Sequence, residues 1–149
     1  MYLVDTNVIS AGAPSRASAS AALVCWMDRN SAALFLSAVT VAEVADGIAK
    51  ARREGAARKA AALSAWLDTV LHLYGDRILA FDVAVARIAG ALSDAARGLG
   101  QAPRFADIVI AATARHHGLT ILTRNIRHFE PLGVVVFDPF RALPGGVMR

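Results

Sequence analysis

Short apolar runs alternate along the chain with longer segments whose apolar residues recur at helical spacing. Apolar runs of this length are typical of buried strands, and the longer periodic segments favour helices. The predicted strands are the run that ends at Asp5 and residues 33–36, 77–81, 119–122 and 134–137. The predicted helices cover residues 18–30, a segment from Ser37 or Thr40 to Arg53, and residues 56–73, 83–99 and 105–117. The alternation predicts an α/β fold of three layers (α/β/α) with a central, mostly parallel sheet of four to five strands.

Glycine and proline separate these elements. A loop is predicted at residues 11–15, and Gly55, Gly98, Gly100 and Gly118 end helices. Large apolar side chains share one face in two of the helices, and we interpret them as core. They are Leu23, Trp26 and Met27 in the first helix, and Leu63, Trp66, Leu67 and Val70 in the third.

The length of 149 residues fits one domain, residues 1–149. Hydrophobic residues make up 56% and charged residues 19%, which argues against disorder. The longest uncharged runs are shorter than the ~18 residues of a membrane span, and we expect neither a signal peptide nor a membrane partner. The single cysteine, Cys25, has no partner for an internal disulfide, which fits the cytoplasm. A net charge of +4 and a pI of about 10.0 favour an anionic partner such as nucleic acid.

Acidic residues stand at three strand–helix junctions. Asp5 ends the first strand, Glu43 lies in the early turns of the helix after the second, and Asp107 lies near the start of the helix at 105–117. The polar segment 123–125 follows the fourth strand. In a parallel α/β sheet all these places share the carboxyl edge, where ligands bind.

Each acid also has a purely structural interpretation. Asp5 is a candidate helix cap, and Thr40-Val41-Ala42-Glu43 matches a capping box. Asp107 in a first helical turn complements the helix dipole. Asp82 also follows a strand, and we interpret it as an N-cap.

Carboxylates that converge repel one another and raise each other's pKa, and a divalent cation removes that conflict. Mg²⁺ prefers oxygen ligands and keeps several waters. A metal held in this way can generate hydroxide and stabilise charge on a phosphate.

With its acids in this order, the chain resembles the PIN domain, most closely the VapC and FitB-like toxin ribonucleases of bacterial toxin–antitoxin pairs. The resemblance covers nearly the whole chain in the right order. It is carried by Asp5-Thr6-Asn7, by residues 36–43 with Gly47, by residues 106–114 and 118–125, and by Phe129, Gly133 and Pro139-Phe140.

The resemblance implies a Mg²⁺-dependent endoribonuclease toxin, with Mn²⁺ as a substitute cofactor. Asp5 and Asp107 would hold the metal, with Glu43 completing the acidic cluster. Thr6 and Asn7 would orient the first carboxylate or a metal-bound water. It further implies an RNA substrate, a VapB-like antitoxin that inserts a segment into or beside the site, and a homodimer.

The segment after the fourth strand departs from the family pattern. The family usually has a further Asp there, whereas residues 123–129 contain no carboxylate. Asn125 offers a neutral oxygen as a weaker fourth catalytic position, and His128 stands where close relatives often have Asp. We interpret His128 as an exposed loop residue.

Basic residues fit a phosphate-rich substrate. Arg104, Arg124 and Arg127 lie close to the predicted acidic edge, where arginine makes bidentate contacts to phosphate. A denser cluster surrounds Gly55, and we interpret it as a solvated helix end. It consists of Lys50, Arg52, Arg53, Arg58 and Lys59.

Two rival functions stay open. The missing fourth acid is compatible with a catalytically weak or inactive PIN-like module that binds nucleic acid. A phosphatase of the haloacid-dehalogenase type also places Asp after a first strand, but it needs a second Asp two residues later, where this chain has Asn7.

Overall fold

A computed structural model describes residues 1–14 and 21–145. These residues form a five-stranded parallel sheet with helices on both faces, as the sequence predicts. The strands are β1 (Tyr2–Val4), β2 (Leu34–Ser37), β3 (Ile78–Leu79), β4 (Thr120–Leu122) and β5 (Val136–Phe137). The helices are α1 (Thr6–Ile9), α2 (Ala21–Arg29), α3 (Ala38–Arg53), α4 (Ala57–Tyr74), α5 (Val83–Gly98), α6 (Phe105–His117) and α7 (Ile126–Phe129).

The strand order is β3-β2-β1-β4-β5, with β1 at the centre. The chain moves outward through β2 and β3 and then returns to the other side of β1, so the order reverses between β1 and β4. Val4 is paired with Leu122, and Leu122 with Phe137. The residues that follow these three strands therefore meet at one edge. In open α/β sheets, ligands bind at the carboxyl edge where the order reverses.

Successive side chains of a strand point to opposite faces of the sheet, where they pack against the two layers of helices. Leu3 and Ile121 pack in a core with α5 and α6. Val4 and Leu122 point the other way and pack with α1, α2 and α4. The predicted core residues lie in this second core or in the contact between α3 and α4. They are Leu23, Trp26, Met27, Leu63, Trp66, Leu67 and Val70.

Helix α3 places Glu43 beside the edge of the sheet. Ser37 is its N-cap, because the Ser37 hydroxyl accepts a hydrogen bond from the Val39 amide at 3.2 Å. The alternative start at Thr40, and with it the capping box, is wrong: Thr40 is buried inside the helix. Gly55 lies in the turn that ends α3, as predicted, with a φ of +83° that glycine adopts freely.

Several elements differ from the predictions. The strands predicted at 77–81 and 134–137 are shorter than expected, with two residues each in the structure. The loop at 11–15 begins inside a 3₁₀ turn, Ser10–Gly12, and its last residue lies outside the described part. The start of the helix predicted at 18–30 also lies outside it. Within the described ranges, every helix is too short or too polar to cross a membrane.

Candidate active site

Asp5 lies at the end of β1 and is only 5% exposed. Its Oδ1 accepts a hydrogen bond from the Thr6 amide at 2.7 Å, so Asp5 does cap α1. Its Oδ2 accepts from Asn7 Nδ2 at 2.6 Å and from Thr123 Oγ1 at 2.7 Å. Asp5 therefore caps α1 through Oδ1, and Asn7 and Thr123 hold its Oδ2.

Thr123 joins the end of β4 to the start of α1. It is fully buried, and its hydroxyl also accepts from the Asn125 amide at 3.0 Å. Asn7 Oδ1 accepts from the Arg124 amide at 3.0 Å, which ties the same two segments together. The Thr123 hydroxyl was not predicted to have a role, although residues 123–125 were predicted to follow the fourth strand at the acidic edge. The position of Thr123 directly after β4 could have indicated this contact. Val4 pairs with Leu122, so the residues that follow them, Asp5 and Thr123, are neighbours.

Glu43 reaches the site from the second turn of α3. The Thr6 hydroxyl donates a hydrogen bond to its Oε2, and Arg104 Nη2 lies 3.3 Å from its Oε1. Thr6 and Arg104 therefore lie at the acids as predicted, but the side chains of both contact Glu43. The side chain that donates to Asp5 is that of Asn7 and not that of Thr6.

Asp107 enters from the first turn of α6 and is 6% exposed. His128 Nδ1 lies 3.3 Å from Asp107 Oδ2. The interpretation of His128 as a loop residue is wrong, because it belongs to α7 and contacts an acid. The Asn125 side chain is exposed and makes no hydrogen bond to the acids within residues 1–14 and 21–145.

Asp5, Glu43 and Asp107 lie close enough together for their charges to interact. Burial raises the pKa of Asp5 most, the hydrogen bonds from Thr123 and Thr6 oppose this, and the charges of Glu43 and Asp107 raise it further. Burial also raises the pKa of Asp107, and the charge of Glu43 raises it further, whereas His128 and Arg104 lower it.

The donor set fits a hydrated cation better than a closed protein cage. In the part of the chain that the structure describes, no group of three or more His, Cys, Asp or Glu residues could hold a metal ion by itself. Asp5 and Asp107 are the two buried acids, whereas Glu43 is half-buried and is held by Thr6 and Arg104. Mg²⁺ typically uses one or two carboxylates and completes its octahedron with water and substrate phosphate. Such an ion fits Asp5 and Asp107, since it would also offset their repulsion.

Two further acids at this side of the sheet have structural roles. Asp82 is the N-cap of α5, as predicted, and accepts from the Val85 amide at 2.9 Å. Asp138 follows β5, is 9% exposed and was not singled out from the sequence. It accepts from the Phe140 amide at 2.9 Å and pairs with Arg141 at 3.3 Å.

Comparison with known proteins is consistent with this architecture. The model of the PIN domain family matches residues 2–132. The chain is 38% identical over 142 residues to "Toxin FitB" of Neisseria gonorrhoeae, an alignment that covers 94% of this chain and 99% of that protein. It is 33% identical to "VapC ribonuclease Y4jK" of Sinorhizobium fredii, covering 94% and 98% respectively. Its fold is similar to the crystal structure of FitAcB from Neisseria gonorrhoeae, with a TM-score of 0.79, 37% identity and coverage of 94% and 99%.

Proposed function

Because the chain belongs to the PIN domain family, we propose that it is the endoribonuclease toxin of a toxin–antitoxin pair and hydrolyses RNA phosphodiesters with a bound divalent cation, Mg²⁺ or Mn²⁺. The observation that carries this proposal is the convergence of Asp5, Glu43 and Asp107 where the strand order reverses. The names of the relatives, a toxin and a ribonuclease aligned over nearly their whole length, support it.

Asp5 and Asp107 would hold the cation, and Asn7 and Thr123 fix the orientation of the Asp5 carboxylate. The chemistry that such an ion supplies is a lower pKa for a coordinated water and neutralisation of charge on the phosphate. Glu43 keeps one oxygen on Thr6 and the other near Arg104, so it adds negative charge without closing the site. Arg104 is 67% exposed and can contact a substrate phosphate. Asn125 is proposed only as a neutral contributor beside these groups.

The test is RNA cleavage by the purified protein with Mg²⁺, with Mn²⁺ and in EDTA. We expect cleavage with either ion and none in EDTA or after Asp5→Asn. Asp82→Asn is the matched control, because Asp82 also follows a strand and Asn caps a helix about as well as Asp. Equal cleavage in EDTA, or by the Asp5→Asn protein, would refute the mechanism.

We also propose a VapB-like antitoxin and a homodimer as partners, and cytoplasmic RNA as the target. An antitoxin arginine could pair with the acids and displace the cation. Exposed apolar side chains offer surface for such contacts, among them Val83, Leu99, Phe105 and Val135. Co-expression with a small neighbouring reading frame should give a co-purifying complex, restore growth and suppress cleavage.

An inactive nucleic-acid-binding module is the second candidate, because residues 123–129 supply no fourth carboxylate and His128 from that segment contacts Asp107. RNA binding without cleavage in Mg²⁺ or Mn²⁺ across varied substrates would favour it. The phosphatase alternative loses support, since Asn7 is held by Asp5 and by the Arg124 amide as a structural bridge.

A further inference from the structure

Two open grooves adjoin each other over α7, beside the acid cluster. The first has a volume of about 240 Å³ and is bordered by Arg104 and Asp107 at one side and by Arg127 and His128 at the other. The second, of about 270 Å³, is bordered by Arg127 and His128 again and by Arg124 and Arg141. Because two residues border both, the grooves form one continuous surface. We call it the basic groove, defined by Arg104, Arg124, Arg127, His128 and Arg141.

Three of the four arginines of the basic groove, Arg104, Arg124 and Arg141, are oriented by contacts that leave their side chains exposed. Arg104 lies near Glu43 and Arg141 near Asp138, each at 3.3 Å, yet their side chains are 67% and 84% exposed. The guanidinium carbon of Arg124 lies 3.9 Å from the centroid of the Phe140 ring. Long arginine side chains held in this way lose less conformational entropy on binding an anion.

Arg127 stands at the centre of the surface, where both grooves meet. Within residues 1–14 and 21–145, no carboxylate lies within ion-pair distance of it, and the only acid among the described residues that border the grooves is Asp107. Arg124 and Arg127, which form no ion pair within the described residues, therefore supply the positive charge of the middle of the surface, and the acid cluster lies at one end.

We propose that the basic groove binds the phosphate backbone of the RNA strand that flanks the cleaved bond. This rests on the proposed function, because it takes the acids as the site of cleavage. A strand whose reacting phosphate lies at Asp107 would continue along the grooves that Arg127 and Arg124 border. Guanidinium groups contact phosphate oxygens in a bidentate manner. RNA is favoured over an acidic peptide because the surface begins at the acids themselves. These acids repel a peptide carboxylate, whereas the cation of the proposed function would bind a phosphate there.

The test measures how salt weakens RNA binding. A short fluorescein-labelled oligouridylate is titrated by anisotropy in EDTA, in an Asp5→Asn background that prevents cleavage. For single strands, the logarithm of affinity falls by about 0.7 per phosphate contact for each tenfold increase in salt. From about 50 to 200 mM salt, each contact therefore contributes a factor of roughly 2.6. The double variant Arg124→Gln/Arg127→Gln should lose two contacts, so its salt effect should be roughly sevenfold smaller than that of the parent.

Arg52→Gln is the matched control, since Arg52 is an exposed arginine in the last turn of α3 that borders neither groove. Its salt effect should match that of the parent. Arg124→Lys/Arg127→Lys keeps both charges, so it should restore the salt dependence. If the glutamine variant acted only through lost packing of Arg124 on Phe140, the lysine variant would not restore it. If the double variant fails to fold, the single variant Arg127→Gln replaces it, because the Arg127 side chain forms no ion pair or hydrogen bond with the residues that the structure describes.

An unchanged salt effect in a folded glutamine variant overturns the proposal. It is also overturned if polyglutamate, and not the oligouridylate, binds in a manner that depends on Arg124 and Arg127. Cleavage by the otherwise unaltered protein is measured separately in Mg²⁺. Cleavage with an unchanged salt effect refutes the basic groove alone, whereas salt-dependent binding at the arginines without cleavage refutes the proposed function alone.

Discussion

Replacing Thr123 by valine should destabilise the protein more than its size change suggests. The hydroxyl is fully buried, donates to Asp5 Oδ2 at 2.7 Å and accepts from Asn7 Nδ2 at 3.2 Å and from the Asn125 amide at 3.0 Å. A hydrogen bond to a charged group contributes about 1.5–3 kcal/mol, and donors left without an acceptor add to the cost. We expect a loss of about 2–4 kcal/mol, or roughly 5–12 °C in Tm for a domain of this size.

Thr113→Val is the matched control. Thr113 is equally buried, but its hydroxyl donates to the Val109 carbonyl at 2.8 Å, and that carbonyl keeps its helical amide donor in the variant. The expected loss is under about 1 kcal/mol. Thermal unfolding followed by circular dichroism, without divalent cation, measures both.

The pH dependence separates the two variants further. The Thr123 hydroxyl stabilises ionised Asp5 and so lowers its pKa against the effect of burial. The variant should raise the pKa of Asp5 further, and its penalty should be largest near neutral pH and shrink as Asp5 takes up a proton. The penalty of Thr113→Val should not vary with pH. Equal losses in the two variants, or a Thr123→Val loss independent of pH, would contradict the role assigned to this bond.

Two other predictions concern the cation and the backbone. Since the folded pKa values of Asp5 and Asp107 lie above the ordinary value of 3.8, their contribution to stability is present below pH 3.8 and is lost as pH rises through the raised pKa values. Mg²⁺ should therefore raise Tm more at pH 7.5 than at pH 5, and an equal or larger increase at pH 5 would argue against binding at these acids. Gly90→Ala, in open space within α5, should stabilise by about 0.5–1 kcal/mol, whereas Gly118→Ala, at a φ of +63°, should destabilise by about 1 kcal/mol, as chemical denaturation can show. The opposite order would contradict the glycine assignments.

The sequence predicted the long elements because their signals are local. The helices at 83–99 and 105–117 begin and end within a residue of the predicted bounds, since Asp82 caps one and Gly118 ends the other. The four-residue helix α7 was not predicted, and α1 was anticipated only through Asp5 as a candidate cap, because helices this short depend on tertiary contacts. The two-residue strands β3 and β5 were overestimated, because pairing partners and not hydropathy decide where a strand ends.

The candidate site divides in the same way. That Asp5, Glu43 and Asp107 share an edge follows from sequence order and the rule for parallel sheets, and the pKa interactions among them agree. The tertiary structure alone decided that Glu43 faces Thr6 and Arg104, that Thr123 supports Asp5, and that His128 rather than Asn125 reaches Asp107. These pairs are separated by tens of residues in the chain, and hydrophobic periodicity carries no information about which polar atoms meet once the strands are in register.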